Sequence, residues 1–505
     1  MGPGCRSRLK DNVWLGARRR VGCVVGAALL ALTASGVIAP APTLAVDNPI
    51  VVENQQAGTD AWLSSKLGDD VNGQIKGYAS ANSVAPGDGL TFYVSVNPVQ
   101  TYTIEVYRLG WYGGLGGRLR LSAGPLDGIQ QPACPVDATT GLIACAWTAG
   151  LSVIVPSDWV SGIYVALLTN AQGFQNYVVF VVRDGRPAPF LYQRSVATDQ
   201  AYNNFPNDGS TGKSLYSFNS FGPNTVSGET RAVKVSFDRP YAGSGAGKLA
   251  DAELNFVRWF ERSGYDVTYS SDTDTHANGA ELRNHKAFLS VGQNEYWSKE
   301  MFDAAMAARD AGVSLGFFGA AAADWQAGFE PSASGAPNRV LVSYRDAALD
   351  PVQGPTTTTL FRAPPVNRPE QTLRGIQALL TALSGTTGYT VTNSSHWAYA
   401  GTGFAEGAVV PGIVGTQVDA LQSGYPSPPN SSFTLLSQSP FTDAAGAPGT
   451  ANSSIYQAPS GAWVFGAGTI SWSWGLDLSG VVDWRIQQIT ANVLNRFQAV
   501  SPPVP

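Results

Sequence analysis

The chain has 505 residues, 14% of them charged, with a formal net charge of -5, 56 glycines and 32 prolines. That length exceeds what one hydrophobic core organises, so two or more domains are expected. The sparse, slightly acidic charge offers no basic field for nucleic acid or anionic lipid. The three histidines are His276, His285 and His396, and no cysteine lies beyond Cys145. This excludes a thiol nucleophile or Cys-ligated zinc from the larger C-terminal part, and so few histidines argue against a zinc centre built on several imidazoles.

In chain order, Arg6, Arg8, Lys10, Arg18, Arg19 and Arg20 form a basic leader, followed by the apolar run from Val21 to Pro40 and the small residues Thr43 and Ala45. That order predicts a cleavable export signal over residues 1–45. The three adjacent arginines can also be read as a twin-arginine signal. The mature protein is expected outside the cytoplasmic membrane, secreted or periplasmic, and free of it once the signal is cut. Residues 46–71 read as a lead-in.

From residue 72 to 185, short runs with alternating apolar positions, such as LTFYVSV, TYTIEVYRLG, SGIYVALL and YVVFVVRDG, are separated by turn residues. That pattern predicts an antiparallel β-sandwich. Within it, Cys134 and Cys145 flank a turn-rich stretch and are expected to form a disulfide in an oxidising compartment. From Pro187 the pattern changes. ELNFVRWFERSG reads as a helix closed by Gly264, YDVTYSSD as a strand, HKAFLSVG as a buried strand, SKEMFDAAMAARDAG as a helix capped by Ser298 and ended by Gly312, and VSLGFFGA as the next buried strand. Strands alternating with helices predict a mainly parallel sheet covered on both faces, over residues 186–497. Ligands of such sheets gather at the carboxyl ends of the strands, where SVGQNEYWS falls. Residues 498–505, ending VSPPVP, read as a disordered tail.

Two motif-like strings carry no chemistry. NDGSTGKS has Asn207 where a phosphate loop needs its first glycine, and YAGSGAGK lacks dinucleotide spacing.

The strings VYRLGWYGGLGGR, AYNNFPNDGSTGKSLYSFNS, VGQNEYWS, SSHWAYAGTGFAEGAVVPGIVG, YQAPSGAWVFGAGTISWSWGLD and TANVLNRF, in this order, resemble the large (β) subunit of N,N-dimethylformamidase and its relatives. The resemblance implies an Ig-like β-sandwich followed by a glutamine-amidotransferase-like α/β domain, with a mononuclear iron held by two tyrosines and one glutamate. Phenolate and carboxylate are hard oxygen donors that suit Fe(III), which can acidify a bound water and polarise an amide carbonyl. Carried over by motif, the glutamate is Glu295 of QNEYW, one tyrosine is Tyr202 of AYN, and the other is Tyr164 of SGIYVALL. The implied reaction is hydrolysis of C–N bonds in small amides, and the implied assembly includes a separate small subunit or a homo-oligomer.

This chain departs from the family's pattern in places. Gln293 and Asn294 stand where the family has His and Asp, Gln417 replaces a carboxylate, and Ala321 and Asp324 stand for Asn and Tyr in GAAAADWQ. Amides take no proton at neutral pH, so the acid–base work would fall to Asp324, to His396 or to Glu295 itself. The alternative is a catalytically silent protein that binds an extracellular carbohydrate or other polymer, with Trp325, Trp397, Trp472 and Trp474 as candidate stacking surfaces.

Overall fold

The computed structural model describes residues 48–216, 231–428 and 432–499. The expected signal over 1–45 lies outside them. So does the tail beyond Ala499, whereas Gln498 and Ala499 belong to the last helix. The lead-in carries a short helix, α1 (Pro49–Asn54), whose first turn is capped by Asn48 Oδ1, the acceptor of the Ile50 N–H at 3.0 Å.

The next eight strands form two facing sheets. One contains β1 (Ile75–Ala79), β3 (Gly89–Val96) and β6 (Ala149–Ile154). The other runs β2 (Ser83–Val84), β8 (Gln175–Val182), β7 (Gly162–Asn170), β4 (Tyr102–Leu109) and β5 (Gly117–Leu126). In β3 the side chains alternate, with Leu90, Phe92, Val94 and Val96 turned into the core between the sheets. Strands β7 and β8 do not alternate, because both of their faces are covered. Tyr164, Ala166, Leu168, Val178 and Phe180 face the core between the two sheets, while Ile163, Val165, Leu167, Tyr177 and Val179 join the core of the following sheet. Cys134 and Cys145 form a disulfide, as expected.

Strand β9 (Phe190–Arg194) begins the second part. It leads into α2 (Val196–Tyr202) and β10 (Lys234–Ser236), then α3 (Leu254–Arg262), β11 (Val267–Ser271), α4 (Asp272–Ala277), β12 (Ala287–Gln293), β13 (Tyr296–Trp297), α5 (Lys299–Asp310), β14 (Ser314–Ala320), β15 (Trp325–Gln326), β16 (Gly328–Glu330) and β17 (Val340–Val342). A seven-stranded mixed sheet has the order β11, β9, β12, β14, then strands Trp463–Gly466, Ser454–Gln457 and Thr434–Leu435. Its first five strands are mutually parallel, and each of the last two runs antiparallel to the strand before it in the sheet. Phe256 and Phe260 of α3 cover one face together with the last helix, α8 (Trp484–Ala499). Met301, Phe302, Ala305 and Ala308 of α5 cover the other.

Local signals fix the helix ends. Ser298 Oγ accepts the Met301 N–H at 3.2 Å, and Gly264 and Gly312 take φ of 78° and 95°, which suits glycine after a helix.

Candidate functional site

The site lies where β12 and β14 end side by side, Gln293 opposite Ala320. The two strands approach so closely here that a Cβ on Gly319 would stand 1.9 Å from the Gly292 carbonyl oxygen. Beyond this point both chains turn away from the sheet. The Ala323 and Trp325 N–H groups donate to the carbonyls of Asn294 and Glu295 at 3.0 and 2.9 Å, and β13 then pairs with β15.

The turn after β14 is left-handed at Ala321 (φ 55°) and Ala323 (φ 57°), a conformation that is costly for alanine. Buried groups hold it in place. Asp419 Oδ1 accepts the Ala321 N–H at 2.8 Å, Arg374 donates to the Ala322 carbonyl at 3.1 Å, and Arg374 pairs with Asp419.

This backbone presents Glu295, 2% exposed, to three donors. The Tyr202 hydroxyl lies 3.0 and 3.1 Å from its two oxygens, the Tyr216 hydroxyl donates to Oε2 at 2.7 Å, and Gln293 Nε2 donates to Oε1 at 2.7 Å. Tyr202 closes α2, and the Thr198 hydroxyl one turn earlier accepts the Glu295 N–H at 2.9 Å, so helix and carboxylate are locked together. The Tyr202 and Tyr216 rings stack with centroids 4.2 Å apart. Burial, then the Glu295 charge, holds both phenols well above their ordinary pKa, so in the protein alone they are neutral donors. Two cations lie over the ring faces, Lys248 Nζ 4.0 Å from Tyr202 and the Arg345 guanidinium carbon 4.1 Å from Tyr216.

Asp324 sits on the same turn, buried, and shares the Arg362 guanidinium with Glu370, each carboxylate 2.8 Å from Nη1. One cation cannot satisfy two buried carboxylates. Burial raises Asp324 to about 6, and burial and the Asp324 charge raise Glu370 to about 8.

A folded-state pKa raised above its unfolded value means the native protein holds the proton more tightly. The stabilisation from Glu370 is therefore complete below its ordinary 4.5 and lost as pH rises through about 8. Unfolding free energy in urea is expected to fall over that range, by at most about 1.4 kcal/mol per pH unit for one proton. Glu370→Gln should flatten the slope; an unchanged profile would assign it to other groups.

The remaining expected residues divide into those that reach this cluster and those that do not. Gln417 does: it accepts a hydrogen bond from Gln293. Asn294 faces away from Glu295, donating to Ser290 Oγ at 3.1 Å and accepting from Ser195 Oγ at 3.2 Å. Tyr164 is not brought to Glu295. It points into the core between the first two sheets, stacked on Trp159 at 4.8 Å, and its hydroxyl donates to the Val160 carbonyl at 2.8 Å.

His396 caps a short turn, accepting the Ala398 N–H at 3.2 Å, beside Trp397. Trp397 packs on Trp463, at the amino end of its sheet strand, whereas Glu295 follows the carboxyl end of β12. The tryptophans do not form one cleft: Trp472 is fully buried and Trp474 bonds the Asp251 carbonyl, while Trp325 faces Arg345. Tyr216 and Arg345 were not singled out in the sequence. The signal for Tyr216 was its place in the same motif string as Tyr202, and Arg345 had none.

Among the described residues, no group of three or more His, Cys, Asp or Glu could hold a metal; the oxygens that meet the Glu295 carboxylate are the Tyr202 and Tyr216 phenols. No curated protein matches the chain. Among solved structures, that of an uncharacterized protein from Bacillus anthracis str. Ames aligns at 10% identity, over 25% of this chain and 93% of that chain. Its TM-score of 0.14 carries no argument about the fold. The family described as N,N-dimethylformamidase beta subunit-like, C-terminal, matches residues 103–488. That stretch runs from β4 into α8, takes in Tyr202, Tyr216 and Glu295, and covers well over half of the sequence, so the chain belongs to the N,N-dimethylformamidase beta subunit-like family.

Proposed function

We propose that this protein is an exported, iron-dependent hydrolase of C–N bonds in small amides, with Tyr202, Tyr216 and Glu295 as the metal ligands. The observation that carries the reading is the convergence of two phenol hydroxyls on one buried carboxylate, within 2.7 to 3.1 Å of its oxygens. Such a donor set is all hard oxygen, which fits Fe(III) and needs neither Cys nor His. When bound, the ion would supply Lewis acidity to an amide carbonyl and to water.

The chain's own residues set the rest. Gln293 orients the carboxylate from one side and is itself held by Gln417. Asp324, raised to about 6, is poised to exchange a proton near neutral pH beside the same turn, a task that Gln293 and Gln417 cannot perform. His396, at the other end of the sheet, takes no part. In this reading residues 72–185 are an Ig-like sandwich, 186–497 a glutamine-amidotransferase-like domain, 46–71 a lead-in, and 1–45 a cleaved export signal. The active form is a homo-oligomer or a complex with a small subunit.

The neutral Gln293–Gln417 pair favours a second reading, a silent binding protein for an extracellular polymer. Iron content and a visible spectrum of the mature protein separate the two. Near-stoichiometric iron with a phenolate-to-Fe(III) band is expected, followed by amine release from simple amides. Protein that stays colourless after incubation with Fe(III) would sink the hydrolase.

A further inference from the structure

We propose that Arg345 recognises a carboxylate on the substrate, so that the amides taken by this site are anionic ones such as N-acyl amino acids. The inference rests on the hydrolase reading for its reaction and on Arg345 for its selectivity.

Arg345 follows β17 with a left-handed backbone, φ 56°, a strained setting for a long side chain. Its guanidinium is clamped between two ring faces, 4.1 Å from the centre of Tyr216 and 4.3 Å from that of Trp325, which fixes its plane. Nη1 donates to the Leu215 carbonyl at 2.9 Å. The opposite edge is uncommitted: Nε is buried without a hydrogen-bond partner, and Nη2 makes no hydrogen bond among the described residues.

Among the same residues no carboxylate lies within ion-pair distance of Arg345, although most other arginines of the core are paired. An edge of two parallel N–H groups matches the two oxygens of a carboxylate. A buried donor left unmet is costly, and a ligand oxygen would satisfy it. The edge also lies in the right place. Tyr216 separates Arg345 from Glu295, its ring under the guanidinium and its hydroxyl on the carboxylate, so a ligand carboxylate on Arg345 would sit about one ring away from the reacting centre. Gln293 and Gln417, bonded to each other beside Glu295, are neutral amides that add no negative charge there.

Calorimetric titration with N-acetylglycine and with its uncharged analogue N-acetylglycinamide tests this. The native protein is expected to bind the carboxylate probe about tenfold or more tightly than the neutral one. Arg345→Met should abolish the difference. Arg345→Lys, which keeps a cation over Tyr216 but not the fork, should retain only part of it, and it serves as the control if Arg345→Met fails to fold. Equal binding of the two probes, binding of neither, or a preference that survives in a folded Arg345→Met protein would overturn the proposal. The readout is binding, so the two readings fail separately. A colourless protein with an Arg345-dependent preference defeats only the iron hydrolase, and an iron-loaded amidase without the preference defeats only the role of Arg345.

Discussion

Glu295→Gln is expected to remove the metal and to lower amide hydrolysis by on the order of a thousandfold or more. The carboxylate now meets only donors: the Tyr202 and Tyr216 hydroxyls and the Gln293 amide. A glutamine there loses the charge an Fe(III) ion requires, and its N–H₂ group either faces the Gln293 N–H₂ or forces the tyrosine hydroxyls to turn from donor to acceptor. Tyr216→Phe removes one proposed ligand without disturbing the ring stack and should weaken and shift the visible band, leaving the part that Tyr202 supplies. Iron per chain, the spectrum and amine release would be measured on each variant. If Glu295→Gln keeps its iron and its colour, the ligand assignment is wrong.

The largest stability loss is expected at Glu261 and Arg108. Both side chains are wholly buried, one on α3 and the other on β4, and they meet in a two-pronged pair at 2.9 and 2.8 Å. Glu261 also accepts from the Tyr269 hydroxyl and from Asn54 Nδ2, each at 2.7 Å, while Arg108 donates to the Ser161 carbonyl and the Tyr112 hydroxyl. The network thus ties the five-stranded sheet, α3, the mixed sheet and α1 at one point. Removing one charge leaves the other buried without its counterion, at a cost of about 3–5 kcal/mol. Urea unfolding of Glu261→Gln and Arg108→Met should show losses of that size. The double variant Arg108→Met/Glu261→Leu should recover part, since an apolar pair leaves no charge stranded. A loss below about 1 kcal/mol in either single variant would place the pair among contacts that water can replace.

Regular elements and their ends were largely legible in the sequence, because caps and periodicity act locally. Ser298, Gly264 and Gly312 mark the helix ends where expected, and the buried runs around Phe288 and Phe317 are parallel strands. Strands β7 and β8 depart from the alternation expected of a sandwich strand, and their unbroken apolar runs record two covered faces. The site was half legible. Glu295, Tyr202, Gln293 and Gln417 meet as their motifs implied. Tyr164 did not join them, since a strand tyrosine turned toward the sandwich core can find its partner four residues back in the chain. Tyr216 has no local mark that sets it apart within its string, and only the path of the chain after α2 brings it over Tyr202. Arg345 has meaning only beside Tyr216 and Trp325, and no local pattern reports such a meeting.

The five-stranded sheet is a wall between two cores, with Tyr164, Ala166 and Phe180 on one side and Ile163, Val165 and Val179 on the other. A gene fragment that encoded only the half from β9 onward would leave its core missing one flank, and the severed pair of sheets would bare the matching apolar surface to water, an invitation to aggregate. Shuffling of the sandwich as a detachable cassette is therefore closed to this architecture, and the two halves must be expressed, folded and inherited as one piece.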